Sequence, residues 1–509
     1  SLDNLGEYYL QTGNVFQAQQ SFSMAIHSLL PAWSLGSTPE SLRSSLSNSP
    51  HKLDLFVYIS DLARAQRASY QRTKEKEGAL VALRWYMLGD QLLDDIRQGH
   101  FEEANKLFWR EKVMPFYEAA IACASEVGAV EEGHIFFEKS QAVLLFEAIQ
   151  RARQLSQVSD RLRLEEQRLQ YQVKEIRQSI GNDDQPAAAD IQQLLAAEAK
   201  LSAFYQSLSN TYPEFSEEGQ RLPTVDLSYF SQRYLEPDNG MLIHYFWGQQ
   251  QLYALAVHDG NAEIHQLGNI TTILNGLSSY LKYFEDGSRI VESPASFMEA
   301  GYALYQQLLA PLVDELPEQL LIVPSGPLAY LPFEALSVKP AANYAATESY
   351  LVVSTLLTYA YSCTLHDQLY QLPEQPTSGN LLAFAPFVTS GNSAYSQLRY
   401  SEQEMDELQS IFKGTFLEDK AATRAAFFQR AEQFSLLHLS THAGSRSTEE
   451  QPFIAFYDSL LWMSELYQLH LPADLVVLSA CQTNTGELAG GEGVLGLGRG
   501  FFYAGARSV

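Results

Sequence analysis

Short apolar runs alternate with amphipathic segments from about residue 226 onward. The runs are MLIHYFWG, QLYALAVHD, AEIHQLG, LLIVPSGPLAYLPFEAL, YLVVSTLLTYAYS, LLAFAPF, LLHLSTHAG, PFIAFYD and LVVLSAC. Helical patterns lie near 270–284 and 296–312, and in YSEQEMDELQSIF and AATRAAFFQRAEQF. Apolar runs separated by amphipathic helices are typical of parallel strands joined by crossover helices. The pattern therefore predicts an α/β domain with a largely parallel central sheet.

The beginning of the chain has helical periodicity instead. In LGEYYLQTGNVFQAQQSFSMAI, the residues with the spacing of two packed helices are Leu5, Gly6, Tyr9, Gly13, Ala18, Phe22 and Ala25. This spacing resembles a tetratricopeptide repeat, with Pro31 near the usual break. A second pair, WYMLGDQLLDDIRQGHFEEANKLFWREKVMPFYEAAIACASEVG, turns around Gly99 and fits more loosely. We predict a repeat-like helical array over residues 1–135, with an irregular helical bundle as the alternative.

Residues 136–225 are rich in Gln, Glu, Arg, Leu and Ala. The segment LLFEAIQRARQLSQVSDRLRLEEQRLQYQVKEIRQ has apolar residues at helical spacing, and GNDDQPAAAD supplies turn residues. This pattern predicts a long antiparallel helical hairpin between the two flanking regions. Its charged residues are those of a solvated face.

Composition limits the classes of function. A chain of 509 residues is too long for one ordinary core. No apolar window reaches membrane-spanning length, and SLDNLGEYYL is not a signal peptide, so we expect a soluble, cytoplasmic protein. Three cysteines cannot form a disulfide framework, which fits a reducing compartment. A net charge of −26 disfavours direct binding to nucleic acid or membranes.

Two of the predicted strands are followed by residues that could act together. His442 follows SLLHLST, and Cys481 follows LVVLSA. If these strands are neighbours, the imidazole and the thiol meet at one sheet edge, where the imidazole can stabilise a thiolate. The backbone N–H groups of Cys481 and of Ala443 or Gly444 could then hold an oxyanion.

HLSTHAG and VVLSACQTNTGELAGGEGVLGLGRGFFYAGARSV closely resemble the paired motifs of CHAT proteases, which are caspase-like cysteine peptidases. The resemblance covers most of residues 226–509 and implies a caspase-like α/β domain, with an inactive first half at 226–340 and an active half at 341–509. It implies that Cys481 is the nucleophile and His442 the general base and acid. It also implies a bacterial signalling or defence protease that needs no metal or organic cofactor.

The same resemblance implies the partners. The substrate would be a protein, and the repeats, which often precede such peptidases, would bind a regulatory protein or complex. Family members generally continue beyond a segment like ARSV, so we expect an incomplete catalytic domain. The rival hypothesis is a non-catalytic interaction scaffold with a degenerate or truncated caspase-like domain.

Selectivity would require a charge or a shape beside the nucleophile. Asp458, Glu487 and Glu492 lie on nearby predicted loops, and related families often select basic side chains with such carboxylates. Each of the three is equally compatible with a solvated surface position.

Other interpretations apply to single residues. A free cysteine is most often a buried thiol, which suits Cys123 and Cys363 and is the alternative for Cys481. His438 and His442 invite a zinc site, but residues four apart on a strand are about 13 Å apart, so His438 is interpreted as sheet core. GGEGVLG matches a dinucleotide pattern but does not directly follow its strand, which favours a flexible active-site loop.

Overall fold

The computed structural model describes most of the chain in two compact units. One unit comprises Ser1–Ala142 and Arg221–Leu365, and the other comprises Val143–Gln220 and His366–Val509. The described residues are 1–31, 33, 38–47, 49–98, 103–141, 188–212, 223–372, 380–391, 394–444, 452–467, 469–480, 488–489, 493–494 and 496–509, with isolated stretches within 145–176.

The first unit begins with helices, as the periodicity predicts. They are α1 (Leu2–Gln11), α2 (Val15–Leu29), α3 (Arg43–Ser47), α4 (Lys52–Thr73), α5 (Lys76–Gln98), α6 (Glu103–Val127) and α7 (Val130–Lys139). A Cβ on Gly6 would lie 2.5 Å from the Phe22 ring, and one on Gly89 would lie 2.8 Å from the Phe116 ring. Small residues therefore let the paired helices approach closely. The predicted Gly99 turn lies outside the described residues, and membership of a repeat family stays a prediction.

Part of the predicted hairpin is described. Its second helix is α8 (Ala188–Thr211). The turn residues 181–187 and much of the first predicted helix lie outside the described residues. The three domain boundaries predicted from the sequence stay predictions.

The first unit also contains a five-stranded sheet in the order β3-β2-β1-β4-β5. Its strands are β1 (Gly240–Trp247), β2 (Gln251–His258), β3 (Asn261–Asn269), β4 (Gln319–Val323) and β5 (Leu356–Tyr359). The accompanying helices are α9 (Leu227–Phe230), α10 (Ile270–Glu285), α11 (Ser288–Glu292), α12 (Pro294–Leu308), α13 (Leu351–Ser354) and α14, which begins in this unit and runs from Cys363 to Tyr370.

This sheet is mixed, a detail that the predicted, largely parallel architecture did not include. β1, β2 and β3 pair antiparallel, whereas β4 pairs parallel with β1 and β5. The turns between the first three strands are too short for a crossover helix, so these strands must reverse direction. Alternate residues of β1 face opposite cores: Leu242 and Phe246 pack with the N-terminal helices, and Ile243 and Tyr245 pack with α10 and α12.

The second unit contains a parallel sheet in the order β12-β8-β6-β7. Its strands are β6 (Leu381–Ala385), β7 (Gly414–Glu418), β8 (Leu436–Ser440) and β12 (Leu475–Ser479). The helices α15 (Ser401–Ile411) and α16 (Arg424–Arg430) lie between strands, and α18 (Leu497–Ala504) follows them. The apolar pattern of the sequence does not predict β7, because GTFLE is only half-buried and has no continuous apolar run.

Between β8 and β12 the chain makes an excursion that is not part of the parallel sheet. β9 (Ala443–Gly444), β10 (Phe453–Ala455) and β11 (Leu460–Trp462) form a small antiparallel sheet, followed by the short helix α17 (Met463–Leu466). SLLWMSELY, residues 459–467, therefore forms a strand and one helical turn. PFIAFYD is a strand as predicted, but it pairs with its own excursion and leaves β8 and β12 as direct neighbours.

The predicted architecture is confirmed in outline: an N-terminal helical region precedes a sheet domain with parallel strands. Among the described residues, no helix combines the length and the apolar character needed to cross a bilayer.

Candidate active site

The two strands that precede His442 and Cys481 lie side by side. β8 and β12 pair in parallel, and Ser440 faces Ser479 at their carboxyl ends. Beyond the paired serines, the Thr441 N–H donates to the Ser479 carbonyl over 3.1 Å. His442 follows Ser440 by two residues, and Cys481 follows Ser479 by two residues. The structure thus brings the two chain segments to the same sheet edge, while Cys481 itself lies outside the described residues.

His442 is half-buried and held on several sides. Its Nε2 lies 2.9 Å from the Ser396 carbonyl oxygen. The ring stacks on Tyr395 at a centroid distance of 5.3 Å and tilts against Phe387 at the same distance. A carbonyl oxygen only accepts hydrogen bonds, so Nε2 carries the hydrogen and Nδ1 carries the lone pair. The Ser396 carbonyl therefore orients the ring and fixes a tautomer suited to a general base.

The backbone after His442 distinguishes the Ala443 N–H from the Gly444 N–H as a candidate oxyanion donor. Ile454 faces Ala443 and Phe453 faces Gly444, while the Ala455 N–H donates to the His442 carbonyl over 2.8 Å. In an antiparallel ladder, hydrogen-bonded and non-bonded pairs alternate. The Gly444 N–H accordingly faces β10, and the Ala443 N–H points away from it. Of the two, Ala443 is the better candidate.

His438 has different surroundings from His442, although it lies in the strand that His442 follows. It is buried, and its Nε2 lies 3.1 Å from Glu404 Oε1 without the angle of a good hydrogen bond. The Ser440 hydroxyl donates to the other Glu404 oxygen over 2.5 Å. Burial lowers the pKa of His438, and the Glu404 carboxylate works against that shift. This histidine packs between β8 and α15 as part of a buried polar network.

Asp458 is exposed and serves α16. Its Oδ1 accepts the Arg424 N–H over 2.9 Å in the first turn of that helix, while the Thr423 hydroxyl caps the Ala426 N–H. This contact gives Asp458 a structural role, and its place in a substrate pocket stays a prediction. Glu487 and Glu492 lie outside the described residues.

The glycine-rich segment after Cys481 contains a small hairpin. β13 (Leu488–Ala489) pairs antiparallel with β14 (Gly493–Val494), and α18 begins at Leu497 after Gly496. Gly491 lies outside the described residues. Since this antiparallel pair lies between β12 and α18 in the chain, the described residues of the segment do not form the direct strand-to-helix turn of a dinucleotide site.

A second set of cysteine and histidine side chains lies in the first unit, and the sequence analysis missed it. His134, Glu138, His244 and Cys363 each offer a ligand atom, and these atoms lie within 4.8 Å of one another. The four residues are spread along the sequence, so no single motif indicates them. The one available signal was the His134–Glu138 spacing, which places both side chains on one face of a helix.

Cys363 and His244 are close, but their surroundings oppose catalysis. Both are fully buried, out of reach of a polypeptide substrate. Burial raises the pKa of the Cys363 thiol well above its usual range, and the Glu138 carboxylate raises it further. A thiol that resists ionisation is a poor nucleophile. Burial also lowers the pKa of His244 to about 4.

A comparison with protein-family models matches residues 298–509 to the CHAT domain. This part of the chain is therefore similar to the CHAT domain, and the match points to a caspase-like peptidase family. The match begins within α12 and includes β4, β5 and the whole parallel sheet of the second unit. No curated protein matches the chain.

Proposed function

We propose that the protein is a cysteine endopeptidase that hydrolyses peptide bonds of a protein substrate through Cys481 and His442. The observation that carries this proposal is the parallel pairing of β8 and β12, in which Ser440 faces Ser479 two residues before each functional side chain. The CHAT match and the oriented His442 ring support it.

In this mechanism the thiol proton moves from Cys481 to His442 Nδ1, and the thiolate sulfur bonds to the scissile carbonyl carbon. The carbonyl oxygen becomes an oxyanion, which the Ala443 N–H would bind. When the C–N bond breaks, the imidazolium returns the proton to the leaving amine. Water then gives a proton to His442, attacks the thioester carbonyl and releases Cys481 as the leaving group.

The N-terminal helices would bind the regulatory partner in this proposal. The exposed apolar side chains of α1 and α2 include Tyr8, Phe16 and Met24, of which Phe16 is 67% exposed. Large apolar side chains that stay exposed are frequent at protein interfaces. We assign these helices to recruitment and the second unit to peptide cleavage.

The decisive experiment is cleavage of a peptide library by the protein, with and without candidate partner proteins. Cys481→Ala should abolish cleavage, while Cys123→Ala, which removes a buried thiol of α6, should retain it. Cleavage that persists in Cys481→Ala would overturn the assignment. Absence of cleavage under every partner condition would favour the rival function, an interaction scaffold.

A further inference from the structure

The side-chain cluster of the first unit joins three structural elements. His134 and Glu138 lie one turn apart on α7, His244 lies in β1, and Cys363 is the first residue of α14. All four side chains are buried, and their ligand atoms lie within 4.8 Å of one another. Hereafter these four residues are the α7 cluster. Polar side chains are rarely buried together unless they are paired or bind a metal.

His134 has the environment of an oriented ligand. Its Nε2 lies 2.9 Å from the Val225 carbonyl oxygen, so Nε2 must carry the hydrogen. Its Nδ1 is buried and has no hydrogen-bond partner among the described residues. Metal-binding histidines usually donate their second ring nitrogen to a carbonyl or carboxylate in this way, which fixes the tautomer and directs the free lone pair.

His244 is the independent observation that points to a ligand. Its side chain is 0% exposed, and neither ring nitrogen has a hydrogen-bond partner within the described residues. Nδ1 lies 3.5 Å from Glu138 Oε1, beyond hydrogen-bond distance. Alternation along β1 directs this ring to the face that packs on the N-terminal helices, and it meets Phe137 edge-on. A buried imidazole left unpartnered is destabilising unless something else binds it.

The charges of the α7 cluster favour a divalent cation. Glu138 Oε1 and Oε2 accept the N–H groups of Cys363 and Thr364, each over 2.8 Å, which orients the carboxylate at the start of α14. One carboxylate, one thiolate and two neutral imidazoles carry two negative charges, which a divalent cation neutralises.

We propose that the α7 cluster is a structural zinc site, with His134, Glu138, His244 and Cys363 as its four ligands. Two nitrogens, one sulfur and one oxygen form a donor set that zinc accepts in tetrahedral geometry. Zinc–ligand bonds of about 2.0 to 2.3 Å place neighbouring ligand atoms roughly 3.3 to 3.8 Å apart. Inward movements of about an ångström would therefore close the observed arrangement around an ion.

The proposed role is structural because the site is closed. Four protein ligands fill a tetrahedral zinc and leave no position for water or substrate. The ion would tie α7 to β1 and to the first residue of α14, and so fasten the helical region to the mixed sheet of the same unit. The proposal is independent of peptidase activity and can be tested in a catalytically inactive chain.

A metal-free alternative makes different predictions. In it, the Cys363 thiol stays protonated and donates to Glu138, and the carboxylate merely caps α14. Chelators would then leave stability unchanged, and zinc would not bind at stoichiometric levels.

The first test uses the full chain carrying Cys481→Ala, purified without a polyhistidine tag or chelating resin. Elemental analysis should find one zinc per chain after dialysis. Removal of zinc with 1,10-phenanthroline should lower Tm by about 5 °C or more, and zinc chloride should restore it. The proposal would be overturned if the chain carries no zinc after exposure to zinc chloride and its Tm does not change with the chelator.

The second test assigns the ligands. Cys363→Ser and His134→Gln should each lose at least about tenfold in zinc affinity, and Cys123→Ser should retain wild-type affinity as the matched buried-thiol control. Cobalt chloride provides a direct readout, since a thiolate-to-cobalt charge-transfer band should appear in the chain and vanish in Cys363→Ser. An unchanged band in that variant would refute Cys363 as a ligand. The chelator test uses no ligand variant, so its outcome does not depend on whether a variant folds.

Discussion

The α7 cluster and the candidate active site each include a histidine and a cysteine, and the surroundings of their histidines differ in burial and in hydrogen bonding. In the α7 cluster, His244 is sealed from solvent and has no hydrogen-bond partner among the described residues. At the end of β8, His442 is half-buried and oriented by the Ser396 carbonyl. The first setting suits an ion that must be enclosed. The second suits a reaction whose substrate must enter.

The difference shows that residue type alone does not define a site. Burial raises the pKa of Cys363 and keeps its thiol inert unless a metal displaces the proton. Cys481 follows a strand end, where parallel sheets commonly present functional groups. Four predictions test this contrast, from the largest expected effect to the smallest.

Thiol reactivity should separate the cysteines most strongly. Under native conditions iodoacetamide should modify Cys481 at least about a thousandfold faster than Cys123 or Cys363, since the thiolate is the nucleophile. Burial raises the pKa of Cys123 to about 12, and it raises that of Cys363 well above the usual range. Peptide mapping by mass spectrometry gives the three rates. Equal labelling in denaturant is the control, and rapid native labelling of Cys363 would contradict the contrast.

Removal of the oriented imidazole should affect catalysis next. His442→Ala should reduce kcat/KM by roughly 10² to 10⁴, the usual contribution of a general base or acid. His438→Gln, on the same strand, should change it far less because that side chain belongs to the buried network with Glu404. Steady-state cleavage of one peptide by both variants provides the comparison. A larger loss in His438→Gln would reverse the assignment.

Asp458 should prove to be a helix contact. Asp458→Ala removes the acceptor of the Arg424 N–H and should lower the free energy of unfolding by about 1 kcal/mol, with cleavage selectivity unchanged. Asp458→Asn keeps an acceptor oxygen and should retain most of the stability. Selectivity that shifts in both variants while the unfolding midpoint stays constant would instead place Asp458 in the substrate pocket.

The smallest effect concerns pH. Burial lowers the pKa of His438 in the folded chain, so the unfolded chain binds its proton more readily as the pH falls through the ordinary histidine range near 6.5. The contribution of His438 to the free energy of unfolding is therefore present at higher pH and decreases on acidification. His438→Gln should flatten part of this slope in urea unfolding from pH 5 to 8. A slope that steepens in the variant would show that His438 is protonated in the fold.

Sequence patterns predicted well those features that are local. Apolar runs located β1, β6, β8 and β12, and the positions of His442 and Cys481 after two of these runs raised the hypothesis that β8 and β12 are neighbours. The pattern missed β7, whose residues are only half-buried, and it did not distinguish the antiparallel β1–β3 from parallel strands. Pairing direction depends on connection length and tertiary packing, which an apolar run does not encode.

The α7 cluster could not be predicted for a related reason. Helix α7, strand β1 and the start of α14 contribute its members, and each member lies in a locally ordinary segment. His134 and Glu138 share a helix face, but a spacing of four residues is common in helices and does not by itself indicate a metal site. Only the packing of β1 on the helices brings His244 to Glu138, and only α14 brings Cys363.

The excursion between β8 and β12 has a consequence for how this protein can diversify. Its two ends are fixed by the Ser440–Ser479 pairing and by the Thr441 N–H bond to the Ser479 carbonyl. The segment between those ends can change in length or in residue type without altering the register of β8 and β12, which sets the spacing of the two strand ends. Natural variation in this segment would therefore change the surface between the two strand ends while the pairing that spaces those ends is retained.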